Sequence, residues 1–204
     1  QQEIKDFFKK SLTGMLKTYF SAPLTGTYNL FKEADNRAYF NSLVLIVTTA
    51  LLYMIVPYLL LGSARDYVEF SVLIKVGLSV GLLLVIISAI SFGVKSIAGK
   101  PDFKKELLTG ALCGIPMVLL LAIMILAKVF MSDLDVTDMM NPSAFGNLKL
   151  LLLPALYVPF LLINTILQSF RASNVNETLA WYASPLVIGL AFYLTQEVDV
   201  KTFF

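Results

Sequence analysis

The chain has 204 residues, of which 57% are hydrophobic and 15% charged, and its net charge is +2. Soluble domains carry about 25% charged residues, so this composition favours a chain surrounded largely by lipid. The small net charge gives no indication of nucleic-acid binding. The chain has no histidine and a single cysteine, Cys113, so an intramolecular disulfide is excluded and no metal or cofactor is expected.

Residues 1–40 are predicted to form a cytoplasmic, amphipathic helical segment. In EIKDFFKKSLTGMLKTYF the lysines Lys5, Lys9, Lys10 and Lys17 lie mostly away from an apolar stripe of Ile4, Phe7, Phe8, Leu12, Met15, Leu16 and Phe20. Such a helix can lie in the headgroup layer with its lysines against anionic lipid. Packing on a soluble partner or domain is the alternative. Pro23 and Gly26 then predict a turn before a short helical segment.

Five apolar runs are long enough to cross a bilayer, which takes about 20 helical residues. Their continuous apolar character argues against a transmembrane β-barrel, whose strands alternate. The predicted fold is therefore all-α: a polytopic membrane protein with five transmembrane helices and an N-terminal amphipathic helix. The bundle is assigned to residues 41–196 and a short tail to 197–204. The predicted spans are 42–61, 72–94, 107–130, 148–168 and 178–195.

The distribution of basic residues predicts the orientation. Eleven of the sixteen Lys and Arg residues fall on the side of the N-terminus, including Lys95, Lys100, Lys104 and Lys105, which are assigned to the loop between the second and third spans. The positive-inside rule then places the N-terminus in the cytoplasm and the C-terminus outside. A loop with Asp133, Asp135 and Asp138 falls outside. We interpret it as solvated, because it lacks the glycine and glutamate of a calcium-binding loop.

Two pairs of glycines four residues apart are candidates for helix packing. Gly77 and Gly81 lie in the second span, and Gly110 and Gly114 in the third. Small residues at this spacing let helix backbones approach closely in lipid. Because the two spans are joined by a short hairpin, we expect the pairs to pack on each other. An oligomer or partner face is the alternative.

Proline occurs in or near every span except the second, and each can kink its helix. Such kinks are common in membrane helices and can also mark a substrate path; Pro116 is taken as a packing candidate. The residues are Pro57, Pro116, Pro154, Pro159 and Pro185.

The centres of the spans carry no acidic residue, and Lys75 and Lys128 lie near span ends, from which they can reach the interface. The polar candidates within the membrane are Asn164 and Gln168, one turn apart on the fourth span, and Tyr53 on the first. They could bind a polar ligand, but a hydrogen bond between helices is the simpler expectation.

The pattern resembles the Yip family of five-span membrane proteins. The segment YFSAPLTGTYNLFKEADNRAYF precedes the first span, and QSFRASNVNETLAWY joins the last two. The stretch SIAGKPDFKKELLTGALCGIP is similar to the family's Gly-x-x-x-Phe hairpin, with Gly99 and Phe103, followed by Pro116 in the third span. An acidic-aromatic segment typical of eukaryotic, Rab-binding members is not recognisable, and the short N-terminal region is typical of a bacterial member. The resemblance supplies no catalytic residues.

Together these features predict a non-enzymatic protein of the bacterial inner membrane that organises or assists other membrane components. It would act as an accessory subunit, a scaffold or a trafficking-type factor. Its expected partners are the lipid bilayer and either other membrane proteins or further copies of itself. A small-solute transporter or permease subunit is the alternative, on the basis of the proline-containing fourth span with Asn164 and Gln168.

Overall fold

The computed structural model describes residues 11–34, 38–130 and 145–203. Lys5, Lys9 and Lys10 of the predicted headgroup-facing set lie outside the described residues. The same holds for the acidic loop with Asp133, Asp135 and Asp138.

The described residues form seven α-helices and one short 3₁₀ helix, Gly62–Tyr67. Five of the α-helices are long and apolar enough to cross a membrane, with mean hydropathies between 1.2 and 2.6. The predicted all-α fold with five spans is therefore confirmed. The helices are α1 Leu12–Ser21, α2 Thr25–Lys32, α3 Ala38–Leu60, α4 Phe70–Ala98, α5 Phe103–Phe130, α6 Phe145–Ala172 and α7 Glu177–Phe203.

The spanning helices extend beyond the apolar runs that predict them. Helix α4 continues to Ala98, and α5 begins at Phe103, several residues before the predicted third span. Charged residues at helix ends keep helical geometry, because a basic residue in the last turn and an acidic residue in the first turn complement the helix dipole. Lys95 and Glu106 occupy these turns.

The bundle is built around α5. This helix packs against α3, α4 and α6, while α7 packs against α4 and α6. Helix α4 also packs against α3, so α3, α4 and α5 contact one another. In the most apolar stretch of α5, 56% of the helix is buried inside the protein, whereas in α3 the corresponding share is 22%. The most hydrophobic helix is therefore the central one.

The five prolines that the sequence places in or near spans all lie inside helices. Proline removes a backbone hydrogen bond, and in a membrane the helix persists when neighbouring helices surround the site. Buried hydroxyls are mostly bonded within their own helices. Thr49 donates to the carbonyl of Leu45 at 2.9 Å, and Ser88 to that of Leu84 at 3.1 Å.

The glycine pairs do not face each other as expected. A Cβ placed on Gly77 would lie 2.8 Å from the carbonyl oxygen of Ala50, so the pair on α4 packs on the first span. A Cβ on Gly110 would collide with the carbonyl of Leu84, so only this glycine makes the predicted approach of the third span to the second. Gly114 faces the Thr49 side chain on α3. The central position of α5 explains the difference, since one helix presents its small residues to two neighbours.

The N-terminal helices pack on the protein's own bundle. Helix α2 packs along α6, and α1 packs on α2. Leu12, Met15 and Leu16 of the predicted apolar stripe lie partly buried against the core. Tyr19, not the predicted Phe20, is the fully buried anchor, whereas Phe20 is 47% exposed. The side chain of Lys17 is exposed.

Candidate functional site

A tight hairpin between α4 and α5 positions a cluster of buried polar side chains. The hairpin turn, residues 99–102, is short, so the two helices lie side by side and antiparallel. The Asp102 carboxylate accepts a hydrogen bond from the backbone N–H of Lys104 at 3.0 Å, which caps the start of α5. Phe92 and Phe103 meet edge to face across the helices, with ring centroids 5.5 Å apart. These contacts fix the register of the hairpin.

Four side chains from three helices form a closed ring of hydrogen bonds, which we call the polar ring: Lys95, Glu106, Thr109 and Ser169. The Lys95 Nζ donates to Glu106 Oε2 and to Ser169 Oγ, both at 2.6 Å. The hydroxyls of Thr109 and Ser169 are 2.6 Å apart. Thr109 also donates to Glu106 Oε2, at 3.4 Å. Each member therefore has two partners within the ring, which ties α4, α5 and α6 together.

The polar ring is removed from water. The side chains of Lys95 and Glu106 are only 4% and 8% exposed. The Phe31 ring of α2 lies 5.8 Å from Lys95 Nζ and faces the cation. Burying an ion pair costs roughly several kcal/mol of desolvation per ion. This cost is offset only when the geometry is good and further hydrogen bonds satisfy the remaining protons and lone pairs of the two ions. Thr109 and Ser169 supply these further hydrogen bonds.

The sequence-based assignment of Lys95 to a loop is wrong, and the polar ring was missed. Lys95 lies in the last turn of α4 and is buried. A signal for the pair was present in the sequence, because Lys95 and Glu106 are equally far from the centre of the hairpin turn. In an antiparallel helix pair, residues placed in this way lie opposite each other. Ser169 gave no such signal, since its approach depends on how α6 packs.

A cleft of about 260 Å³ opens beside the polar ring. It lies between the α4–α5 hairpin, the end of α2 and the residue after α6, Ser173. We call it the hairpin cleft. Its charged lining residues are Lys95, Lys100, Asp102, Lys105 and Glu106.

Asn164 and Gln168 hold the N-terminal segment. Asn164 Nδ2 donates to the carbonyl of Pro23, in the turn between α1 and α2, at 2.7 Å. Gln168 Nε2 donates to Asn164 Oδ1 at 3.1 Å. The expected hydrogen bond between spans is therefore replaced by one to the N-terminal turn. Tyr53 does form a bond between spans, to the carbonyl of Met117 on α5 at 2.8 Å.

Tyr19 is the second attachment of the N-terminal helices to α6. Its hydroxyl lies 2.7 Å from Thr165 Oγ1. The carbonyl of Leu161 lies 2.7 Å from Thr165 Oγ1 and 3.4 Å from the Tyr19 hydroxyl, so the three groups form one hydrogen-bonded cluster. Burial raises the pKa of Tyr19 above its ordinary value, so the hydroxyl keeps its proton within this cluster.

Five exposed lysines lie on α1, α2 and the α4–α5 hairpin, and together we call them the basic surface: Lys17, Lys32, Lys100, Lys104 and Lys105. The buried lysine and the exposed ones thus have different roles. Lys95 joins helices, whereas the basic surface is available to external anions.

The described residues contain no group of three or more His, Cys, Asp or Glu side chains arranged to hold a metal ion. Comparison with protein-family models gives no match, and comparisons with curated proteins and with solved structures give no significant match. The similarity to the Yip family thus remains a prediction from the sequence motifs.

Proposed function

We propose that this protein is a non-enzymatic integral membrane protein that organises or assists other membrane components through its basic surface. The proposal rests on the observation that the polar side chains of the spans form hydrogen bonds within the protein. The three polar residues that the sequence offers for a solute path, Tyr53, Asn164 and Gln168, are bonded within the chain. The lysines of the basic surface, in contrast, project outward from an end of the bundle that the polar ring holds together.

The positive-inside rule places the basic surface in the cytoplasm. The sequence motifs favour the inner membrane of a bacterium and a function of the kind expected for the Yip family. Partners of matching chemistry are membrane proteins with acidic cytoplasmic segments, and anionic lipid adds to their recruitment. A further copy of this chain is a second class of partner.

The proposal is tested by crosslinking in intact membranes, purification in mild detergent, native mass measurement and quantitative mass spectrometry. Three tagged chains are compared: the natural chain, a Lys17→Glu/Lys104→Glu variant of the basic surface, and Lys201→Glu. Lys201 is near the end of α7, at the opposite end of the bundle. We expect a stoichiometric membrane-protein partner, or a defined homo-oligomer, with the natural chain and Lys201→Glu, and its loss with the double variant.

Two results would contradict the proposal. One is a lone monomer for the natural chain after crosslinking. The other is solute transport, or turnover of a substrate, by the purified protein alone in liposomes. An Asn164→Leu/Gln168→Leu variant distinguishes our proposal from the transporter alternative. If a solute path runs through these two residues, the variant should lose solute uptake. On our proposal the same variant only loosens the attachment of the N-terminal helices.

A further inference from the structure

The charged side chains that line the hairpin cleft differ in sign and in whether they already have a partner within the protein. Glu106 is neutralised by Lys95 within the polar ring. Asp102 is used to cap α5. Asp102 keeps its negative charge while it accepts this bond, so the five charged residues of the lining, three lysines and two acids, carry a net charge of +1. Among the described residues, the side-chain ammonium groups of Lys100 and Lys105 make no hydrogen bond and no ion pair, although both residues line the cleft. The cleft thus has a net positive charge, and two of its ammonium groups remain free to bind an anion.

The size and position of the cleft limit what can enter it. Its volume, about 260 Å³, lies just below the range of about 300–1,000 Å³ that is typical of pockets for drug-sized ligands. A small charged group fits better than a large apolar one. Lys95 belongs to the last turn of a helix long and apolar enough to span the membrane. The cleft therefore lies near the end of the span, at the level of lipid headgroups.

The chemistry of the lining favours a phosphate group. Lysine ammonium groups bind phosphate as point charges. The start of α5 lies at the cleft and contributes the positive end of a helix dipole. Leu108 and Pro101 add an apolar wall, against which the uncharged part of a phosphate ester can pack.

We propose that the hairpin cleft is a binding site for a phosphate monoester or diester, held by Lys100 and Lys105. Lys95 stays bound to Glu106 and shapes the floor of the cleft. The phosphate can belong to an anionic lipid headgroup or to a free phosphate. This inference is independent of the proposed function, because it requires no protein partner.

The test uses the purified full-length chain in detergent micelles and native mass spectrometry. Short-chain phosphatidic acid and phosphatidylglycerol are titrated, with phosphatidylcholine as the neutral lipid and inorganic phosphate as competitor. The cleft variant is Lys100→Gln/Lys105→Gln. Its matched control is Lys17→Gln/Lys104→Gln, which removes the same charge from exposed lysines that do not line the cleft. Unfolding temperatures of both variants check that folding is unchanged.

We expect the cleft variant to bind anionic lipid about tenfold more weakly, because it removes both ammonium groups that hold the phosphate as point charges. We expect the control to differ by less than about twofold, because its two lysines do not line the cleft. If inorganic phosphate displaces the lipid, the site accepts a free phosphate. If it does not, the site is specific for the lipid headgroup. Equal weakening in both variants would show diffuse surface attraction and overturn the proposal, as would an absence of binding to the natural chain.

Discussion

Lys95 and Lys128 each lie in the last turn of a spanning helix, yet the protein uses them in opposite ways. Lys95, at the end of α4, is buried and bonded to Glu106 and Ser169. Lys128, at the end of α5, is exposed and donates to the carbonyl of Leu60. Lys95 therefore joins three spanning helices, whereas Lys128 binds the end of a neighbouring helix from the surface.

The difference follows from what covers each end of the bundle. Phe31 of α2 and Ser169 of α6 pack around Lys95, so water is excluded and the charge needs a carboxylate. Lys128 extends to solvent, and its long stem can pack on apolar surface while the ammonium stays hydrated. The same residue type therefore contributes very differently to stability at the two ends.

The largest expected effect comes from removing one member of the buried pair. Glu106→Leu leaves the Lys95 ammonium buried without its carboxylate, which typically costs about 3–5 kcal/mol. The measurement is the free energy of unfolding in mixed micelles. The Lys95→Met/Glu106→Leu double variant serves as control and is expected to recover most of the loss, since well-packed apolar residues often replace buried ion pairs without cost. A single variant as stable as the natural chain would show that the pair is hydrated.

An intermediate effect is expected at the close helix contact near the polar ring. Gly110→Ala places a methyl group against the Leu84 carbonyl, and overpacking of this kind typically costs about 1–3 kcal/mol. Gly93→Ala is the matched control on α4, because a Cβ there has no neighbour within 4 Å. Unfolding temperature distinguishes them: the control is expected to match or exceed the natural chain. Equal behaviour of the two variants would mean that α4 and α5 can separate without cost.

The smallest effect is expected at the exposed lysine. Lys128→Ala should change the free energy of unfolding by less than about 1 kcal/mol, as is usual for an exposed charge. The same measurement on Lys95→Ala supplies the comparison, because it leaves the Glu106 carboxylate buried and unpaired. If Lys128→Ala proved as harmful as Lys95→Ala, the proposed difference between the ends of the bundle would be wrong.

Attachment of the N-terminal segment shows why site prediction from the sequence was partial. Asn164 was recognisable as polar within an apolar run, but its partner is the Pro23 carbonyl, which lies 141 positions away in the chain. No local pattern encodes such a contact. Likewise, both Tyr19 and Phe20 fit a helical apolar stripe, and only packing on α6 decides that Tyr19 is buried.

The sequence by itself determined the five spanning helices, because about 20 consecutive apolar residues can satisfy their backbone groups in lipid only as a helix. It also placed the hairpin turn, through a short polar interruption with glycine and proline. Tertiary structure decided which helix is central, which glycines meet which neighbour, and that Lys95 and Glu106 join Thr109 and Ser169 in the polar ring. Those outcomes depend on the relative rotation of whole helices, which is set by the summed packing of many distant side chains.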